Sequence, residues 1–344
     1  VAAIHTEFEV LPAVADCRES IKENSPLVRL DLKSNILQDY TLAYGDVDEA
    51  FAQADIVLEE KFWVHRGGAH PIEGRGVLAS PELATGTLTV WSSTQMAHEL
   101  HYVIAHMLDQ PEDKLRIITP DVGGGFGVKF MIYPEEVVIP AVARALGHPV
   151  KWVEDRREHF LSAIQERDQY WQMSIAATKD GHILGLRGNF VHDHGAYIPQ
   201  GTNVPYNSAS SITGPYLISS FSLRAQVAYT NKVTVSTIRG AGYPQAAFVM
   251  ERMMDKLALA AEIDRLECRR RNFIPTSKIP YEKPLKSRAG VPLVIDSGDY
   301  PALQVTAVKA IDFVGFQERR EESLARGMLR GIGIGNSIKP TGRG

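Results

Sequence analysis

The 344 residues are 44% hydrophobic, enough to fill the core of one large domain or two ordinary ones, which excludes wholesale disorder. The net charge of -4 comes from intermixed acidic and basic residues that form no long basic face, so nucleic acid and anionic membranes are poor partners, and small molecules or protein subunits fit better. Only Cys17 and Cys268 are present, far apart and in no metal-binding spacing, and no apolar run approaches the roughly 20 residues that span a bilayer; the expectation is a cytoplasmic chain without disulfides.

Residues 1–10 read as a strand entered midway, beginning at Val1 rather than Met, and 11–44 as an irregular surface connector. Asp46 caps a short helix over 46–54. Strands follow at 56–64, 76–79 and 87–92, expected to share one small sheet. A helix over 96–108 and a strand over 114–119 lead into Gly123-Gly124-Gly125-Phe126-Gly127. The next helix opens near Pro134, carries Glu135 and Glu136 at its positive end, should kink at Pro140 and stops at Gly147. Strands at 150–154, 172–177 and 183–191 resume the sheet, with a hairpin turn at Asp180-Gly181. A loop-rich stretch over 195–216 precedes a strand at 223–229, a second glycine loop at 239–242 and a helix over 245–261. Asp264 caps a short helix, 272–292 is an irregular connector, and a last amphipathic helix covers 300–325. The period-two pattern of 330–335 begins another strand, and both ends together suggest a truncated piece of a longer subunit.

The run 121–129 joins a strand to a helix, where bare amides can approach an anionic ligand. It is neither a phosphate loop, since Val128 precedes Lys129 and no Ser or Thr follows, nor a dinucleotide fingerprint, since Val128 stands where the last glycine belongs. A plain tight turn and a ligand cradle both remain open on these residues alone. His98-Glu99-Leu100-His101 has Tyr102 where the second zinc-binding His would face the metal, His192 and His194 share a strand face without an obvious third ligand, and Arg269-Arg270-Arg271 offsets a helix dipole.

In order and context, the segments 69–76 (Ala-His-Pro-Ile-Glu-Gly-Arg-Gly), 92–95 (Ser-Ser-Thr-Gln), 123–129, 133–136 (Tyr-Pro-Glu-Glu), 150–160, 239–242 (Arg-Gly-Ala-Gly) and 251–255 (Glu-Arg-Met-Met-Asp) are similar to those of the molybdenum hydroxylase large subunits. That family includes xanthine dehydrogenase, aldehyde oxidase and aerobic carbon monoxide dehydrogenase, and the Arg-Gly-Ala-Gly form resembles the second group of carbon monoxide dehydrogenase-like chains. The resemblance implies an α+β fold of mixed sheets with flanking helices, divided into the tail of an upstream domain and connector (1–44), a first molybdopterin-binding domain (45–275) and the connector and start of a second (276–344). It implies a molybdenum-molybdopterin cofactor, in its cytosine dinucleotide form, approached by Gln95, Gly124, Gly125, Phe126, Gly127 and Arg239, with no direct protein ligand to the metal. Phe130, Asn207, Gly240 and Ala241 would line the substrate pocket.

The activity implied is hydroxylation of an aldehyde, N-heterocycle or similar small substrate with water as oxygen source. The family's base glutamate lies downstream of this chain, so no catalytic residue is expected within it and the piece alone should be inactive. Iron-sulfur and FAD subunits would take the electrons, in a dimer of heterotrimers. Purine oxidisers carry a Glu at the place of Phe130 and an Arg near Asn207, and carbon monoxide oxidisers a Cys at the place of Gly240; these departures argue against both substrates. The alternatives are an aerobic carbon monoxide dehydrogenase and a noncatalytic molybdopterin-binding or assembly protein.

Overall fold

The computed structural model describes residues 5–339. Its first half contains α1 (Cys17–Ser20), β1 (Ile36–Tyr44), α2 (Val47–Ala52), β2 (Ile56–Val64), β3 (Gly76–Glu82), β4 (Thr87–Ser92), α3 (Ala97–Met107), β5 (Leu115–Ile118), α4 (Glu135–Leu146), β6 (Val150–Val153) and α5 (Arg156–Ser162). The rest contains β7 (Gln169–Ala177), β8 (Ile183–Gly195), α6 (Asn203–Ser211), β9 (Ser220–Tyr229), α7 (Tyr243–Ala260), α8 (Arg265–Asn272), β10 (Tyr281–Lys286), β11 (Pro292–Ile295), α9 (Tyr300–Ala310) and α10 (Phe316–Ala325).

Among the described residues the strands form a five-stranded sheet, β1-β9-β8-β7-β2, a four-stranded sheet, β5-β4-β3-β6, and the β10-β11 hairpin. The α+β class with mixed sheets holds. The single small sheet expected from 56 to 92 does not form, because β2 pairs antiparallel with β7 while β3 and β4 pair with each other. Local alternation identifies a strand but carries no information about which distant strand completes its ladder.

Parallel pairing accounts for two crossovers. β4 lies parallel to β5 with α3 between them in sequence, and β8 lies parallel to β9 with α6 between them. Parallel neighbours need a connection of about a dozen residues or more, commonly a helix. The stretch 195–216, expected to be loop, therefore contains α6; its polar, small-residue sequence with Pro205 near the start hid it. The connector assigned to 11–44 holds α1 and the edge strand β1, whose solvated face carries Asp39 against Arg224 of β9.

α7 lays Ala246, Val249, Met250, Met253 and Leu257 on one face against Trp171, Met173, Leu186 and Phe221 of the larger sheet. Beneath it, Arg269 is fully buried and paired with Glu251 at 2.8 Å and Asp255 at 3.0 Å. Arg269 is thus a core ion-pair partner rather than a dipole counter-charge, while Arg270 and Arg271 pair with Glu267. The smaller sheet packs Val77, Leu88 and Val90 against Leu100 and Ile104 of α3 and Ala143 of α4.

Three later expectations fail. Residues 272–292 contain β10 rather than only irregular chain. The helix over 300–325 is two helices, broken where Asp312 adopts φ +47° and the Arg319 guanidinium donates to the Ile311 and Asp312 carbonyls that end α9. Residues 330–335 form no strand: no partner ladder reaches them, and the Ile334 carbonyl lies 3.4 Å from the Arg269 guanidinium. Residues 5–10 of the expected first strand are also irregular, and 1–4 lie outside the described residues.

Candidate functional site

The loop at 123–127 combines left-handed Gly124 (φ +96°), Phe126 (φ +55°) and Gly127 (φ +104°). A Cβ on Gly127 would stand 2.4 Å from the Thr237 carbonyl oxygen, so only glycine lets this loop lie against the segment leading into 239–242. The Arg239 N–H donates to the Phe126 carbonyl at 2.8 Å and its guanidinium stands 5.3 Å from the Phe126 ring centre, which joins the two glycine loops.

Gln95 precedes α3 and reaches the same place. Its Oε1 accepts from the Gly127 N–H at 3.0 Å; since that N–H can only donate, the carboxamide NH2 is the end available to another acceptor. A Cβ on Gly125 would lie 2.4 Å from that Oε1. Gln95, Phe126 and Arg239 are all exposed, and together with the glycines they make an open cradle of amide and guanidinium donors. Such a surface fits an oxygen-rich, anionic group. No group of three His, Cys, Asp or Glu that could hold a metal ion occurs among the described residues.

The second loop is seated differently. Gly240, Ala241 and Gly242 all have positive φ, and a Cβ on Gly242 would stand 2.3 Å from the Val204 carbonyl oxygen. Asn207 of α6 donates through Nδ2 to the Ala241 carbonyl at 2.8 Å, and Ser208 Oγ lies 3.1 Å from the Gly242 carbonyl. Phe130, 40% exposed, joins the group through its backbone: Gln200 Nε2 donates to its carbonyl, and Ser236 Oγ donates to Gln200 Oε1 at 3.0 Å. All ten residues singled out in the sequence therefore lie in or beside two interlocked loops.

Of the segments that carried the resemblance, 69–76, 92–95, 133–136 and 150–160 form the bedding under the first loop, whereas 251–255 lies in α7 on Arg269. Arg75 is buried with its guanidinium on Glu154 at 2.6 Å and 3.7 Å above the Tyr133 ring; the Tyr133 hydroxyl donates to the Val128 carbonyl at 2.8 Å. Glu154 also meets His159 Nδ1 at 3.0 Å, and hydrogen bonds from Arg75 and His159 hold its carboxyl below the ordinary range against the opposing effect of burial. Burial pushes the Glu136 carboxyl up, beside Ser92 Oγ at 2.6 Å. Sequence reasoning missed Glu73, Gln200 and Ser236 as site residues; Glu73 stood inside a quoted segment, but nothing local to Gln200 or Ser236 marks them.

His192 and His194 are buried at the end of β8. Trp171 Nε1 donates to Gln169 Oε1, which turns the Gln169 NH2 toward His192 Nδ1 at 3.2 Å and Ser208 Oγ at 3.1 Å. Nδ1 is then the acceptor and Nε2 carries the proton, an arrangement unsuited to metal ligation. This chain of contacts ends on the Gly242 carbonyl, so His192 belongs to the packing behind the second loop, with the His194 ring 5.6 Å from it.

Fold and cradle together present two interlocked glycine loops whose exposed donors suit a large anionic group. The chain belongs to the molybdopterin cofactor-binding domain family, which it matches over residues 29–273. It is 32% identical over 99% of its length to the 6-hydroxypseudooxynicotine dehydrogenase complex subunit gamma of Paenarthrobacter nicotinovorans, of which it covers 43%. It is likewise 32% identical over 98% of its length to the carbon monoxide dehydrogenase large chain of Afipia carboxidovorans, of which it covers 44%. The quinoline 2-oxidoreductase structure from Pseudomonas putida 86 superposes with a TM-score of 0.85 at 30% identity, covering 93% of this chain and 40% of that one. The chain thus spans less than half the length of these relatives.

Proposed function

We propose that this chain supplies the first cofactor-binding half of a molybdenum hydroxylase large subunit acting on a neutral aromatic N-heterocycle or an aldehyde. The observation that carries the reading is the convergence of Gln95, Phe126, Gly127 and Arg239 on one open cradle. When bound, the molybdenum-molybdopterin group, here taken in its cytosine dinucleotide form, supplies oxidation of a substrate carbon with water as oxygen source. Glycines 124, 125 and 127 admit it to the backbone, Gln95 offers its NH2, and Arg239 offers a fixed positive charge. On the substrate side, Phe130, Asn207, Gly240 and Ala241 present an aromatic ring, a neutral amide and two small residues without an ionisable group, which suits an uncharged planar ring. Relatives named for nicotine and quinoline compounds support that class. The domain division is read as a connector, a cofactor domain and the entry to a second, with β1 counted in the cofactor domain because it completes the larger sheet. Iron-sulfur and FAD partner subunits, a dimer of heterotrimers and a cytoplasmic setting complete the proposal; no helix among the described residues is long and apolar enough to cross a membrane.

Relatives named carbon monoxide dehydrogenase make copper-assisted oxidation the rival. Gly240 has φ +103°, and any Cβ there would lie 2.3 Å from Pro244 Cγ, so this loop conformation does not accept a copper-binding cysteine. Cys268 touches the Met254 carbonyl, roughly 18 Å along α7 from Gly242 at 1.5 Å per residue. Metal and pterin analysis of the full-length protein tests both readings: stoichiometric molybdenum without copper supports the proposal, absence of molybdenum from a competent host defeats it, and one copper per molybdenum with fast carbon monoxide oxidation establishes the rival. Gln95→Ala should lower turnover on the order of 100-fold at equal molybdenum content, as loss of an oriented donor does elsewhere. Unchanged turnover would remove Gln95 from the site.

A further inference from the structure

We infer that Glu73 is a positioning residue that ties both ends of the 123–127 loop through one carboxylate oxygen. Its Oε2 accepts from the Gly123 N–H at 2.8 Å, where the loop begins, and from Lys129 Nζ at 2.6 Å, two residues beyond its end. The backbone N–H of Glu73 returns a longer contact to the Gly123 carbonyl at 3.4 Å. The approach is close because Gly123 has no side chain: a Cβ there would be 2.6 Å from Glu73 Cβ, and one on Gly124 would be 3.2 Å from Pro71 Cβ. The segment 71–73 is therefore the floor on which the loop lies.

The charges make this tie require a carboxylate. The Lys129 side chain is only 1% exposed while Glu73 is 41% exposed, so a buried ammonium is neutralised by a carboxylate that enters from the rim. A charge buried without its partner is strongly disfavoured, so Lys129 holds Glu73 in place and Glu73 in turn holds Gly123. The Lys129 carbonyl accepts from the Gln95 N–H at 2.9 Å, which carries the same constraint to the carboxamide that supports Gly127. Gln95 holds Gly127, Arg239 holds Phe126, and Glu73 ties Gly123 to Lys129 beyond the loop.

This assignment of a positioning role rests on the cradle being the cofactor surface, but its first test does not. Amide hydrogen exchange is compared in the chain as it stands and in Glu73→Ala, with Glu73→Ala/Lys129→Met as companion. In Glu73→Ala the Gly123 amide and its neighbours through Gly127 should exchange at least roughly tenfold faster while β8 stays protected, since a charge-assisted hydrogen bond is lost. Removing the stranded ammonium in the double variant should recover thermal stability without restoring loop protection, an outcome that a merely structural ion pair would not give. Unchanged protection of 123–127 in a folded Glu73→Ala protein overturns the inference, as does full recovery of loop protection in the double variant. The second arm uses the full-length enzyme, where Glu73→Ala should lower kcat with molybdenum content preserved. Equal kcat at equal loading would show that the tie does not serve the site, whereas a full-length wild-type protein without molybdenum would defeat the proposed function and leave the exchange result standing.

Discussion

In the 123–127 loop side chains arrive from elsewhere, Glu73 at Gly123 and Gln95 at Gly127, and they act at an exposed surface. The 239–242 loop is instead locked from behind: it starts the 18-residue helix α7, Gly242 lies against the Val204 carbonyl, and Asn207 and Ser208 of α6 reach its carbonyls. Both glycine-containing loops make one close backbone approach, Gly127 on Thr237 and Gly242 on Val204, but the first is otherwise tied from an exposed surface by Glu73 and Gln95, whereas the second is tied by α6 and continues directly into α7. The first can be disturbed without unfolding the protein, while the second shares the fate of the core.

The largest effect should come from the anchor of α7. Arg269→Met leaves Glu251 and Asp255 without their buried partner and should cost about 3–5 kcal/mol in denaturant unfolding. A loss below about 1 kcal/mol would mean that the second loop does not stand on this ion pair.

Acid should separate the loops next. Burial, opposed by the Asp193 charge, holds His194 down to about 4, against 6.5 for the free side chain, and lowers His192 as well. Between these values the unfolded chain binds the proton and the folded chain does not, so stability rises with pH. The His194 contribution is complete above about pH 6.5 and is lost progressively toward pH 4, on the order of 3 kcal/mol in all. The Glu73 carboxyl is instead held below its ordinary range by Lys129 and Gly123 despite partial burial, so its tie persists until pH falls below the usual glutamate value. Unfolding midpoints across this range should therefore fall while the 123–127 amides stay protected, and His194→Leu should flatten the fall. Simultaneous loosening of both loops from pH 6.5 downward would contradict the contrast.

Two alanine substitutions sharpen it further. A Cβ on Gly242 meets rigid backbone at φ +101°, whereas one on Gly125 meets the movable end of Gln95 at nearly the same distance. Gly242→Ala should cost about 2–3 kcal/mol through strain and overpacking. Gly125→Ala should cost less than about 0.5 kcal/mol in stability, in keeping with surface positions, yet displace the carboxamide from Gly127. Comparable melting temperatures for the two variants would show that the loops are held alike.

Much of this was legible in the chain before any coordinates. Asp46 and Asp264 cap the helices α2 and α8, and Gly147 ends α4, because capping depends on atoms within a few residues of one another; α5, capped by Asp155, is not among the expected helices. The site was legible as a list: the glycines at 124, 125, 127, 240 and 242 advertise a backbone that must pass close to something. The quoted segments around them contain Glu73, Arg75, Tyr133 and Glu154, which lie under the first loop.

What tertiary structure decided was pairing and partnership. Nothing local to 56–64 says that β2 joins β7 across more than a hundred residues, nor that 203–211 must be helical to bring β9 parallel to β8. The pattern at 330–335 reads as a strand and 36–44 as connector, yet only 36–44 lies alongside an open ladder and forms β1. The same holds for charge: three consecutive arginines look equivalent, but helical geometry turns Arg269 into the core and its neighbours toward Glu267. Capping, turn and glycine preferences are written within a few bonds and so are fixed by sequence, whereas ladders, buried ion pairs and the meeting of two loops depend on which distant groups the folded chain brings within about 3 Å.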